Sequence, residues 1–525
     1  TSRRVGLLGA GLLAVNPYHI SRSQMVEVDI LLTLLVVLGL LACARLQRAP
    51  CLRRSAAAGA LIGIAASVKY PGALLLPTVP AAILLSLPKP GWKRIATWAG
   101  AATLAAALAF ALTSPYVLLD HQAALRDLAD ERLHVQMGHF GESTASGWRF
   151  YLDSLRSGLL GWPAILLLLT GALALVLKRG RASLPPALFS LVYLAVLVGA
   201  RLHAERYLLP LWPLALLLIA YAALELPRRI PGVAWRRAAL LAAGALLLAT
   251  LLRVPGETSR LHRALEQDTR LLASKWVAAN VPAGSFIVSE QYGPEIYAPQ
   301  MKLKCAPETA AAIDRLMDGQ PYFGLLLMPL FQVMPERTAV FYDLALYRNA
   351  DYLITSGSVS SRYEREPERF AAQLTFYRQL DAEYDLVQRF SPKEGAGPEL
   401  RIYRSPGLAL PLAKRSAFLP LAPVRVEGGA PTGSEELFFL EMGLLFETLK
   451  HPHAALESYR LALRYPFKRA SSLRAVVLRA AECMVQAGEK EQAAAFLDDM
   501  IRRTATPELK ERFRTARAEL DGPDG

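Results

Sequence analysis

The sequence predicts a polytopic α-helical membrane protein with a small α/β extracytoplasmic module and a C-terminal α-helical repeat segment. Three observations predict it. The first half of the 525-residue chain holds nine apolar runs, near 5–15, 28–44, 56–68, 72–87, 95–113, 159–177, 184–200, 207–224 and 238–252. Several approach the roughly 20 residues that a helix needs to cross a bilayer. The loops between them alternate in charge, and after Pro255 the composition becomes that of a water-soluble protein.

The loops at 1–4, 45–54, 88–94, 178–183 and 226–237 hold 16 Lys and Arg and no Asp or Glu. Short loops rich in Lys and Arg stay on the cytoplasmic side of a membrane. The other set, 16–27, 69–72, 114–158 and 201–206, holds eight Lys/Arg, eight Asp/Glu and five of the eight histidines. The groups that chemistry needs therefore gather on the outer side. Nine buried helices of a soluble protein would have no reason to alternate in this way. The net charge of +14 follows largely from the inner loops, so topology explains it and nucleic acid is not a partner. The four cysteines, Cys43, Cys51, Cys305 and Cys483, show no metal or disulfide spacing. Only Cys305 and Cys483 fall in the oxidising compartment, where a bridge between them could form.

The N-terminal Ser2-Arg3-Arg4 and its apolar run resemble a signal peptide superficially, but Asn16-Pro17-Tyr18-His19 offers no small-residue cleavage pattern. The chain reads as a fragment that begins inside a larger membrane domain. The predicted order is a transmembrane domain over 1–253, an α/β module over 254–410, a linker over 411–433 and helical repeats over 434–520. In the module, 268–280 reads as a helix, Ser285–Ser289, Tyr352–Thr355 and Leu400–Tyr403 as strands, and 308–318 and 363–381 as helices. In the tail, Phe439, Met442, Gly443, Phe446, Ala455, Tyr459, Ala462 and Pro466 sit near tetratricopeptide positions. Ala481, Met484, Gly488, Ala493 and Leu497 mark a second unit at a period of 38. A plain array of helical hairpins is the other reading. Two repeats are fewer than the three usually needed, so packing on a neighbour or a protein partner is expected.

Four outer strings carry candidate chemistry. Asp29 opens an apolar run, and a carboxylate there is costly unless it pairs with a cation or lines a wet cavity. Arg22 and Lys69 are its candidate partners. Asp29 is then either an ion pair tying helix ends together or a site acid. Lys69-Tyr70-Pro71-Gly72 interrupts an apolar stretch, and Lys69 either binds a phosphate as a point charge or snorkels to the interface. In the loop after Ser114, Leu118, Leu119, Leu125, Leu128 and Leu133 suggest an amphipathic helix on the membrane surface. Glu131 and His134 share a face of it. With His139 they could hold a metal or a phosphate, although no zinc spacing is present. Arg206 and Tyr207 can donate hydrogen bonds to a phosphate at the mouth of a Pro-containing span, or anchor it as an interfacial pair.

Taken in order, Asn16–Asp29, Lys69–Gly72, Ser114–His139, Gly161-Trp162-Pro163 and Arg206-Tyr207-Leu208-Leu209-Pro210 resemble bacterial members of glycosyltransferase family 39, in the GT-C superfamily. These are relatives of dolichyl-phosphate-mannose–protein mannosyltransferases and of the lipid A aminoarabinose transferase. The resemblance continues through Trp276–Pro282 and Asp351–Thr355, covers roughly 1–405 and leaves out the repeat tail. It implies a GT-C-like multi-pass protein of the bacterial cytoplasmic (inner) membrane, with its C-terminal region extracytoplasmic. The implied activity is hexosyl or pentosyl transfer from a polyprenyl-phosphate-linked donor to a lipid, glycan or protein acceptor.

By that resemblance Asp29 matches an acid of the family's cavity. Lys69, Arg206 and Tyr207 match positions near the lipid phosphate, and Arg22, Tyr70, Glu131, His134 and His139 are further substrate-binding candidates. Cations beside the phosphate would stabilise the leaving group, and a carboxylate would act as general base in one inverting displacement. The family's catalytic acid lies in the first outer loop, so the principal base is expected before Thr1. No cofactor is identified, and a divalent metal stays open. The rival functions are a transporter or flippase for a lipid-linked or anionic substrate, whose ionisable groups would sit at mid-membrane, and a non-catalytic scaffold that recruits partners through its repeats.

Overall fold

The computed structural model describes residues 2–521 apart from 139, 142–145, 157–159, 179, 299–306, 317–318, 320, 322, 331–334, 348–349, 394–395, 407–434, 449–451 and 468. The expected linker at 411–433, His139 and Cys305 lie outside the described residues. The chain forms two compact units, Thr1–Arg263 and Ala264–Gly525.

The first unit is helical: α1 Arg3–Ala14, α2 Pro17–Ser23, α3 Asp29–Arg48, α4 Leu52–Val68, α5 Thr78–Leu84, α6 Trp92–Thr113, α7 Tyr116–Leu119, α8 His121–Met137, α9 Gly147–Ser154, α10 Trp162–Lys178, α11 Leu184–Gly199, α12 Trp212–Leu224, α13 Val233–Leu252 and α14 Val254–Glu266. Short 3-10 helices at Tyr70–Leu75 and Glu205–Leu211 precede α5 and α12. Every expected apolar run forms a helix, but the runs are not equal. Five helical stretches among the described residues are long and apolar enough to cross a membrane: Asp29–Arg48, Trp92–Thr113, Arg181–Gly199, Glu205–Arg229 and Val233–Asn280. α1, α4, Tyr70–Leu84 and Trp162–Leu177 are shorter. Prolines set those limits, because Pro17 starts a new helix beyond α1 and Pro71 cannot continue α4. The protein is a multi-pass membrane protein.

α3 and α12 are the most buried of the long helices, whereas α6, α11 and α13 turn most of their surface outward. Leu112 on α6 and Leu241 on α13 are 80% and 75% exposed, surface that suits lipid tails rather than water. In a bilayer, helix association depends on close van der Waals contact through small residues. Here Gly59 and Gly63 of α4 face Ala102 and Ala106, the buried residues of α6, and a Cβ on either glycine would overlap the α6 backbone.

The second unit begins with α15 Thr269–Asn280 and holds a five-stranded sheet. The strands are β1 Phe286–Ser289, β2 Gly324–Leu327, β3 Tyr352–Ser356, β4 Asp385–Phe390 and β5 Leu400–Arg404, in the order β2-β1-β3-β5-β4. β1 pairs parallel with β2 and β3, with Ile287 opposite Leu325 and Tyr352; β5 pairs antiparallel with β3 and β4. α16 Pro307–Leu316 connects β1 to β2, and α17 Gly357–Glu364 and α18 Ala371–Glu383 follow β3. The single helix expected over 363–381 is thus two helices, broken around Pro367, which forces the residue before it out of the helical region. Strands β2 and β4 are not among the expected elements. One is a glycine followed by three leucines, too short to show a period, and the other is an exposed edge strand with an irregularity between Leu386 and Gln388. Ile287, Leu325, Tyr352, Ile354, Leu400 and Ile402 form a core with Ala273 and Val277 of α15.

After the undescribed linker come α19 Glu435–Thr448, α20 Pro452–Ala462, α21 Ala470–Gln486, α22 Lys490–Arg503 and α23 Pro507–Leu520. Each packs on the next, and α19 also packs on β2, with Phe446 5.6 Å from Phe286 and Phe438 4.7 Å from Phe341. The array is therefore covered by a neighbour within its own unit. Ala455, Tyr459, Ala462, Ala493 and Leu497 are fully buried in its seams, and a Cβ on Gly443 would overlap the Tyr459 ring. Cys483 is a buried free thiol in α21.

Glu290, directly after β1, is 1% exposed and accepts hydrogen bonds from Tyr342 Oη (2.8 Å), Tyr377 Oη and the Ser356 N–H (2.7 Å). Burial pushes its carboxyl up to about 7 from 4.5, outweighing the three donors that favour the ionised form. The folded state thus binds a proton that the unfolded chain has released. The stability this contributes is complete below pH 4.5 and is lost as pH rises through about 7. Between those limits unfolding in detergent should become easier by on the order of 3 kcal/mol. Near-UV tyrosine dichroism would follow it, and Glu290→Gln should flatten the slope. Equal slopes in both proteins would contradict the assignment.

Candidate functional site

Three cations and two carboxylates meet at one end of the membrane unit. Asp29 is the first residue of α3, where the helix N-terminus favours a negative charge. Lys69 follows the last residue of α4, where the C-terminus favours a positive one. The chain turns there because Pro71 stops the helix, and Gly72 lies so close to the Ala65 backbone that a Cβ would overlap it. Arg206 and Tyr207 lie in the 3-10 helix before α12, and α3 packs against both this segment and Tyr70–Leu75.

Lys69 Nζ donates to Asp29 Oδ1 at 2.7 Å, and the Asp29 side chain is only 5% exposed. Lys69 Nζ also lies 4.8 Å from the Tyr207 ring centre, and Arg206 Cζ lies 5.6 Å from the same ring. Glu27 Oε1 accepts from both Arg206 (3.2 Å) and Arg22 (3.3 Å). Its Oε2 is enclosed and has no hydrogen-bond partner among the described residues. The Arg22 guanidinium sits 5.3 Å from the Tyr18 ring. Asn16 caps α2 by accepting from the His19 N–H (2.9 Å) and accepts from Trp212 Nε1 (3.0 Å), which fixes α2 to α12. Three positive groups thus face Glu27 and Asp29, and Glu205, next to Arg206 in the same 3-10 helix, adds a third acid near Tyr18.

The site residues expected from sequence separate into two groups. Arg22, Asp29, Lys69, Arg206 and Tyr207 come together. Arg22, one of two candidate partners of Asp29, pairs instead with Glu27, which is five residues away on the same turn of chain and leaves Asp29 to Lys69. Tyr70 heads its 3-10 helix and is 52% exposed, outside the cluster. Glu131 is exposed on α8, a helix that also leaves Leu125 and Leu128 exposed. His134 belongs to α8 by its backbone, but its side chain, like all of His139, lies outside the described residues. Among the described residues no group of three or more His, Cys, Asp or Glu side chains is placed to hold a metal. The residue that sequence reasoning passed over is Glu27, which joins two arginines 184 positions apart in number, Arg22 and Arg206, at one oxygen. Its signal was an acid in an outer segment that also holds a cation.

Residues 1–118, which contain Arg22, Glu27, Asp29 and Lys69, match the family model described as dolichyl-phosphate-mannose-protein mannosyltransferase. This segment is therefore similar to that family of mannosyltransferases. No curated protein matches the chain. The matched part supplies Glu27, Asp29 and two of the three cations; Arg206 and Tyr207 come from beyond it. Chemically, two cations beside one aromatic ring can hold an anionic head group such as a phosphate if it takes over the hydrogen bonds that Lys69 and Arg206 now give to Asp29 and Glu27. Asp29 is held by the Lys69 ammonium in this arrangement.

Proposed function

We propose that the protein is a membrane glycosyltransferase that moves a sugar from a polyprenyl-phosphate donor to a lipid, glycan or protein acceptor by an inverting displacement. The observation that carries this reading is the pair of cations, Lys69 and Arg206, converging on one tyrosine ring at the mouth of the helices. In this reading they hold the lipid phosphate and stabilise the charge that develops on it as the sugar leaves. Asp29 positions Lys69, and Glu27 positions Arg206 and Arg22.

The basic loops at the opposite ends of the helices support placing this site at the outer face of a bacterial cytoplasmic membrane, with the C-terminal unit on the same side. The small buried residues of α20–α22 support a tetratricopeptide-like character for the tail. A flippase reading gains nothing from the geometry, since the charges gather at helix ends rather than half-way along them.

The test is a transfer assay in membranes that contain the protein, with a labelled polyprenyl-phosphate hexose or pentose. Label should move to an acceptor with wild type, and transfer should fall by about tenfold or more with Arg206→Ala. Label that stays on the donor with both proteins, for every sugar supplied, would overturn the reading.

A further inference from the structure

We infer that the C-terminal unit carries its own binding site for a neutral, hydroxyl-rich ligand, a glycan unit, in the cavity between α18 and the β3–β5 face of the sheet. This site does not depend on the reaction proposed for the membrane unit. The cavity measures about 400 Å³, within the range of small-molecule sites and roomy enough for a sugar ring.

The cavity exists because the two faces of β5 differ. Leu400 and Ile402 point into the core, and the alternate residues Arg401 and Tyr403 line the cavity instead. Across it, Leu374, Tyr377 and Asp381 form one stripe of α18 at helical spacing. Apolar closure is not available between a guanidinium, a phenol and a carboxylate, so the helix and sheet leave a gap.

The chemistry of the wall selects the ligand. Arg401 Nε donates to Glu399 Oε1 at 2.7 Å, Arg389 donates to Glu399 Oε2 at 2.6 Å, and Tyr403 Oη donates to Asp381 Oδ1 at 2.6 Å. The cavity is lined by two cations, Arg378 and Arg401, and by three carboxylates, Glu364, Asp381 and Glu399, so the wall as a whole does not favour an anion, and one would have to displace Glu399 to reach Arg401. A neutral polyol needs no such displacement. Carboxylates have more acceptor sites than these partners fill, so Asp381 and Glu399 can each take a hydroxyl proton. The Tyr377 hydroxyl is committed to Glu290, which leaves its ring, with Leu374, as an apolar surface for the C–H face of a sugar.

The experiment is saturation-transfer NMR on the full chain in lipid nanodiscs, with methyl α-mannopyranoside, N-acetylglucosamine and maltose as probes and inorganic phosphate as the anionic alternative. At least one sugar should give a saturable signal. Asp381→Asn, at an exposed position, and Leu374→Trp, which fills the cavity, should each weaken it by about tenfold or more. Near-UV dichroism confirms that each variant is folded. Gly100→Leu on α6, where nothing lies within reach of a Cβ, should leave the signal unchanged. The inference is overturned if no probe sugar binds, if both cavity variants bind as wild type does, or if phosphate binds in place of sugar.

Discussion

Replacing Arg206 with alanine and Lys69 with methionine together is expected to weaken polyprenyl-phosphate binding by two to three orders of magnitude, since each removes a charge-assisted hydrogen bond worth about 1.5–3 kcal/mol. Arg206→Ala alone should lose about tenfold, at the low end, because its side chain is 42% exposed and solvent screens it. Lys69→Met has a second consequence. It strands the buried carboxylate of Asp29, and breaking such a pair costs folding stability, at the lower end of about 3–5 kcal/mol because Lys69 keeps some contact with water. Asp29→Asn added to Lys69→Met should restore stability without restoring lipid binding. Affinity measured with radiolabelled polyprenyl phosphate in nanodiscs separates these outcomes. Unchanged affinity in Arg206→Ala and in the double variant would remove both cations from the phosphate site.

The second large effect is on stability. Gly59→Leu with Gly63→Leu should force α4 away from α6, because each new side chain must occupy space now filled by the Ala102 and Ala106 backbone. Overpacking of this kind costs about 3 kcal/mol or more, and here it acts on a long helix otherwise exposed along most of its length. The thermal midpoint of the protein in detergent should fall by several degrees, while Gly100→Leu on α6, where nothing lies within reach of a Cβ, should leave it nearly unchanged. Equal midpoints for the glycine pair and the control would show that α4 and α6 do not depend on this contact.

What can be read from the sequence follows from the range of each signal. The apolar runs and basic loops depend on composition over tens of residues, so the helical membrane unit is legible in the amino-acid order. The strands β1, β3 and β5 are legible because they are dense in β-branched and aromatic residues, whereas β2 and β4 lack a period. At the site, chemistry demands a cation for Asp29 and leaves Arg22 and Lys69 as its candidates, since a carboxylate at a span's mouth needs a cation. The shared ring of Tyr207 and the bridge from Glu27 to Arg206, 179 residues apart, cannot. Both depend on how the ends of α2, α3, α4 and the Glu205–Leu211 segment converge, which is set by Gly72, by the Asn16–Trp212 hydrogen bond and by packing.

The most direct test of the account is photocrosslinking of the protein in native membranes with a polyprenyl phosphate that carries a photoreactive group beside the phosphate, followed by peptide mapping. The account predicts adducts on the segments holding Lys69–Tyr70 and Arg206–Tyr207, competed away by unlabelled lipid phosphate and reduced in Arg206→Ala. Competable adducts confined to other parts of the chain, with none on either segment, would contradict it.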